Sequence, residues 1–127
     1  MMARFCRYIE KVFGWGAQLA TLKDLRKKPQ IPTGAVFTSI MMMFVTRMGS
    51  LHAMEGELRA SKRWEKIVGG RKPSADRMGE VAALMDSEPL RDMLSSVHHR
   101  LRRNKVLDDY PWPLRTVALD GHEFFSQ

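Results

Sequence analysis

A chain of 127 residues, 44% of them hydrophobic, is long enough for one packed domain and short for two, and it is too apolar for wholesale disorder. Its 21 Lys and Arg against 14 Asp and Glu leave a net charge of +7 and a pI near 10.0, which favours polyanionic partners, nucleic acid first and an anionic membrane second. The single cysteine, Cys6, excludes a disulfide within the chain and a cysteine-based zinc site, and it fits a reducing, cytoplasmic setting.

Five helical segments are expected, in chain order. In residues 3–22, Phe5, Tyr8, Ile9, Val12 and Phe13 recur at helical spacing, and Gly14 and Gly16 around Trp15 weaken the helix after Val12. Charges at Arg4, Arg7, Glu10 and Lys11 interrupt any apolar block, so no secretory signal is expected here. Residues 23–30 form a basic polar stretch closed by Pro29, and Pro32 suits the start of the next helix. That helix, residues 33–48, is apolar nearly all round, with Val36, Phe37, Ile40, Met41, Phe44 and Met48 as its widest face. Such a helix belongs at the centre of a bundle. Its apolar run is too short to span a membrane, which takes about 20 residues. Met41, Met42 and Met43 read as flexible core filling.

After Gly49-Ser50, residues 51–68 read as a mostly polar helix with Leu51, Met54, Leu58 and Trp64 inward, ended by Gly69-Gly70. Pro73-Ser74 opens a fourth helix, with Ser74 placed to cap it and Met78, Val81, Ala82 and Met85 on its apolar face. Ser87-Glu88-Pro89 opens the fifth. Leu90, Met93, Leu94, Val97 and Leu101 give it the clearest amphipathic pattern in the chain, and Arg100, Arg102 and Arg103 suit its C-terminal dipole. Beyond Asn104, prolines 111 and 113 stop helix, and Thr116-Val117-Ala118-Leu119 reads as a short strand running into the turn pair Asp120-Gly121. The expected fold is mainly α, a bundle of about five helices with a short terminal β-strand.

The basic residues cluster. Arg59, Lys62, Arg63, Lys66, Arg71, Lys72 and Arg77 surround the Gly-Gly turn between two helices, an arrangement that suits a helix-turn-helix-like unit on DNA phosphates. Ser74 with the amides of Ala75 and Asp76 would add an anion site at a helix start. A second patch runs from His98 to Lys105 and holds Arg100, Arg102, Arg103 and Lys105. The alternative for either patch is a solvated charged face. His98 and His99 are adjacent, without the i, i+4 spacing of a metal pair, and Asp108-Asp109 reads as a solvated turn. Nucleotide-binding loops, nucleophile elbows and zinc spacings are absent from the sequence.

Asp120-Gly121 followed by Phe124-Phe125-Ser126 resembles the DG-x-x-[YF]-F-S start of the catalytic domain in insertion-sequence transposases of the DDE class. Residues 31–107 are similar to that family's N-terminal helical layout. They include Pro73-Ser74 opening a helix, L-R-x-x-L at Leu90, Arg91 and Leu94, and R-x-K-V-L at Arg103, Lys105, Val106 and Leu107. The resemblance implies a ribonuclease H-like core, in which an Asp, a second Asp and a Glu hold two divalent metals, such as Mg²⁺, for phosphodiester transfer. It matches Asp120 to the first of these acids, a catalytic metal ligand. The other two would lie downstream of this sequence, and neither Glu123 nor Asp109 stands where the family places them. Residues 1–107 are then a helical DNA-binding domain and residues 108–127 the start of a truncated catalytic domain, with no cleavage expected of this polypeptide alone. The expected partner is double-stranded DNA, with no membrane and no small-molecule substrate, and self-association is left open. A stand-alone basic helical DNA-binding module is the alternative, and a protein lying on a membrane surface through basic, Met-rich helices is a third reading.

Overall fold

The computed structural model describes residues 2–106. The expected strand at residues 116–119, Asp108-Asp109 and the Asp120 motif lie outside the described residues. Within them the fold is helical, as expected, but it has seven helices: α1 (Met2–Phe13), α2 (Trp15–Leu19), α3 (Thr33–Val45), α4 (Leu51–Ala60), α5 (Arg63–Val68), α6 (Ala75–Leu84) and α7 (Ser87–Arg103). Two expected helices are each cut in two. Gly14 breaks the first by adopting the left-handed conformation (φ 61°, ψ 46°), which a residue with a Cβ adopts at a cost. The Glu10 carboxylate then accepts from the Gly16 amide at 2.8 Å and caps the new helix. Ser61 breaks the other by going extended (φ −134°, ψ 129°), and its hydroxyl accepts from the Arg63 amide at 3.2 Å.

α3 is central, packing against α2, α4, α5 and α6. Val36 and Met42 of α3, Met54 and Leu58 of α4, Trp64 and Val68 of α5, and Met78 and Val81 of α6 form one core. The buried face of α3 runs through Ala35, Val36, Thr38, Ser39 and Met42, whereas Phe44, expected inside, is 70% exposed. A helix apolar on every side has no preferred face in its sequence, so its neighbours choose. They choose the side with small residues, where helix axes approach closely. Ser39 is tolerated there because its hydroxyl donates to the Ala35 carbonyl at 2.9 Å. The buried Trp64 indole N–H is likewise satisfied, donating to Glu57 Oε1 at 3.3 Å.

Helix starts follow capping chemistry. Ser74 accepts from the Arg77 amide at 3.3 Å, as its position predicts. Ser50 does the same for Ala53 at 3.1 Å, and Asp86 caps α7 through the Glu88 amide at 3.1 Å. α7 buries only Met93; Leu94 is 71% exposed, so the apolar face expected of this helix is only partly used within residues 2–106. Near its C-terminal end the Arg100 guanidinium donates to the Val12 carbonyl of α1.

The connection between α2 and α3 is ordered by one ion pair. Arg26 Nε and backbone N donate to Asp24 Oδ1, each at 3.0 Å, and Arg26 Nη2 donates to Asp24 Oδ2 at 2.8 Å. Thr33 Oγ1 donates to the same Oδ2 at 2.5 Å, which joins the pair to the first turn of α3. Arg26 Nη2 also donates to the Ile31 carbonyl at 3.0 Å. The Asp24 and Arg26 side chains are 2% and 6% exposed. The backbone of the same segment pairs with the α6–α7 junction, through an antiparallel bridge between Asp24 and Met85 and an Asp86 amide donating to the Lys23 carbonyl at 3.1 Å.

The Arg26 hydrogen bonds hold the Asp24 carboxyl at about 2 against an ordinary 3.8, with burial opposing them and Thr33 assisting. A carboxyl depressed in the folded state contributes stability above its unfolded pKa and loses it as pH falls through the folded one. The shift from 3.8 to about 2 corresponds to about 2 kcal/mol, present above about pH 4 and lost towards pH 2. Asp24→Asn should therefore remove this acid-sensitive part of the stability curve. At neutral pH it should lower stability by about 3 kcal/mol, because Arg26 stays buried without its counter-charge. Urea melts of both proteins across pH 2 to 7 check this; parallel curves would show that Asp24 does not carry the dependence.

Candidate nucleic-acid interface

An open cleft of about 700 Å³ lies between the α2–α3 connection, α4 and α6. Arg26, Lys27 and Lys28 line it from the connection, Arg59 from α4, Arg71 and Lys72 from the turn after α5, and Arg77 from α6. Two carboxylates, Glu55 and Glu80, also line it.

These cations are not equivalent. Arg26 is held by Asp24, Arg59 pairs with Glu55, and Arg77 pairs with Glu80. Lys72 Nζ donates to the Ser61 carbonyl at 3.0 Å and lies 3.6 Å from Glu65, so it braces the break between α4 and α5. Lys27, Lys28 and Arg71 form no salt bridge among the described residues. All three are exposed. Arg71 Nη1 donates to Gln30 Oε1 at 3.4 Å, joining the two lips of the cleft across 41 positions of sequence. Lys28 sits in the left-handed conformation (φ 54°), an arrangement costing about 1 kcal/mol for a residue with a Cβ. The Arg26 bond to the Ile31 carbonyl closes the loop on either side of it.

The residues expected to contact DNA fall into three places. Arg71, Lys72 and Arg77 line the cleft. Lys62, Arg63 and Lys66, at and within α5, are exposed and lie outside it. Arg100, Arg102, Arg103 and Lys105 stand at the C-terminal end of α7; Arg100 is engaged by Val12, and the other three are exposed. The helices flanking the Gly69-Gly70 turn both seat on α3. Gly69 ends α5 in the left-handed conformation (φ 75°), the geometry the glycine pair provides. The anion site expected at Ser74, Ala75 and Asp76 is filled from within the chain: the Ala75 amide donates to Glu55 Oε2 at 2.9 Å.

Sequence reasoning missed Arg26, Lys27 and Lys28 as site residues. Their signal was the charge run itself, but only the fold brings it beside Arg71.

Among the described residues no group of three or more His, Cys, Asp or Glu side chains is placed to hold a metal, and Asp120 lies outside them. No helix among the described residues is long and apolar enough to cross a membrane. Burial raises the pKa of the half-buried Cys6 thiol. Comparison with protein-family models, with curated proteins and with solved structures finds no match.

Glu55 links the cleft to the fold, since one carboxylate satisfies the Ala75 amide and pairs with Arg59. Replacing it by alanine leaves a part-buried helix-start amide without its acceptor, at a cost of about 1–2 kcal/mol. Glu55→Ala should lower the urea midpoint accordingly with the slope unchanged. An unchanged midpoint would mean that solvent replaces the carboxylate fully.

Proposed function

We propose that this chain binds duplex DNA through its helical region, as the N-terminal part of an insertion-sequence transposase of the DDE class. The observation that carries the binding role is the cleft, where Lys27, Lys28 and Arg71 stand exposed and without salt bridges among the described residues, on a chain of net charge +7. Cations gathered in one concavity favour a polyanion over a scatter of surface charge. The transposase role is supported by the order and spacing of the terminal motif, with Asp120 as the first acid of the metal-binding set. Of the three acids that family uses, this sequence matches the first, and the role proposed for its helical region is DNA binding.

A second reading, a stand-alone DNA-binding module, is favoured by one observation. The buried core is drawn from α3, α4, α5 and α6, with Met2, Phe5 and Cys6 of α1 packed against it, all within the helical region.

Two measurements test these proposals. Duplex affinity should fall linearly on a log–log plot against salt, with a slope of about −3 if the three cations each meet one phosphate. An affinity indifferent to salt rules out phosphate binding. The DNA beyond codon 127 should encode strands bearing a second Asp and then a Glu. Unrelated sequence there removes the transposase reading and leaves the module.

A further inference from the structure

We infer that the cleft beside α4 and α6 tracks the sugar–phosphate backbone of duplex DNA without reading its bases, and that Lys27, Lys28 and Arg71 make the phosphate contacts. This rests on the DNA-binding proposal and assigns it a place.

Three observations separate this ligand from others of the same charge. First, three of the lining cations are already paired. Glu55 pairs with Arg59, Glu80 with Arg77 and Asp24 with Arg26, which leaves Lys27, Lys28 and Arg71 to offer an incoming anion uncompensated charge. A small phosphorylated metabolite needs convergent donors in an enclosing, largely apolar pocket. This cleft is open, and its free cations stand on two opposing lips.

Second, none of the lining residues is aromatic; the apolar ones are Leu25, Pro29, Ile31, Pro73 and Leu84. Unpaired bases bind chiefly by stacking on aromatic rings, at about 1–3 kcal/mol each. Without such a platform the cleft has little to offer a single strand beyond its charge. In a duplex the bases are already stacked, and the phosphates face outward.

Third, the loop that carries the lip is closed by hydrogen bonds. Lys27 and Lys28 are carried on a loop whose ends are joined by the Arg26 bond to the Ile31 carbonyl and anchored by Asp24. Lys28 stays in the left-handed conformation at φ 54° because that closure holds it there. A preformed lip loses little conformational entropy when phosphates arrive.

The test uses the full chain, a short duplex of arbitrary sequence, its separated strands and inorganic pyrophosphate. The variants are Lys27→Ala with Lys28→Gly, and Arg71→Ala. Glycine at position 28 keeps the left-handed backbone, and far-UV circular dichroism with a thermal melt establishes that each variant is folded. A charge-matched control, Arg4→Ala with Arg7→Ala, removes two exposed cations from α1. The lysine pair should flatten the log–log salt slope by about 2 and weaken duplex binding by roughly tenfold or more, and Arg71→Ala should flatten it by about 1. The α1 control should leave the slope unchanged, and the losses should be the same for an unrelated duplex. Equal losses in the α1 control overturn the inference, because net charge would then explain them. Tighter binding of a separated strand, or competition by pyrophosphate at concentrations far below that of the salt, also overturns it. If the wild-type chain binds duplex with a salt slope and both cleft variants match it, the cleft is not the site and the DNA-binding proposal stands. If the wild-type chain binds no duplex, both fail.

Discussion

A single buried ion pair sets the geometry on which the rest depends. Asp24 and Arg26 are two residues apart, and the carboxylate accepts from the Arg26 side chain, the Arg26 amide and Thr33. Removing two charges from water costs several kcal/mol per ion, and a buried pair repays that only when its hydrogen bonds are complete. Here they nearly are, so what the pair supplies is definition more than stability. It fixes the entry into α3, the seat of the segment against the α6–α7 junction, and the closed loop that holds Lys27 and Lys28 at the lip of the cleft.

Net charge is a poor guide to available charge in this chain. The sequence shows a run of cations from Arg59 to Arg77, and the fold neutralises several of them with acids one turn or one helix away. Lys72 becomes a strut that bonds the Ser61 carbonyl. Arg100, in the second basic patch, is spent on the α1 carbonyl of Val12. Screening by solvent makes the exposed pairs weak, yet each still answers part of the field a phosphate would feel. Among the described residues, the exposed cations outside any salt bridge are Lys27, Lys28 and Arg71 at the cleft, with Arg4, Arg7, Lys11, Lys23, Arg47, Lys62, Arg63, Lys66, Arg102, Arg103 and Lys105 elsewhere.

What was legible in the sequence follows from how local each signal is. Helical periodicity and caps are local, so α6 with its Ser74 cap, α7 with its Arg-rich end and the Gly69-Gly70 break appear in the structure near where the sequence places them. The breaks at Gly14 and Ser61 are single-residue dihedral events inside otherwise helical text, which periodicity averages over. The inward face of α3 was illegible because its apolar residues surround the helix, leaving α4, α5 and α6 to select the Val36–Ser39–Met42 side. The cleft was half legible. Arg71, Lys72 and Arg77 lie in one stretch of sequence, but the Arg26-Lys27-Lys28 lip reaches them only because α3 folds back between the two.

The carboxylates in the cleft show how folding and binding pull against each other at this site. Like charges gathered in one concavity repel, and the compact state bears that cost. Glu55 and Glu80 offset it by pairing with Arg59 and Arg77, and Glu55 also satisfies the start of α6. The same two groups repel any phosphate that enters. A cleft built for the tightest anion binding would omit them, and one built for stability alone would omit Lys27 and Lys28, whose backbone is partly in the left-handed region. The cleft keeps both: Glu55 satisfies the start of α6, and Lys27, Lys28 and Arg71 stay exposed without a salt bridge among the described residues.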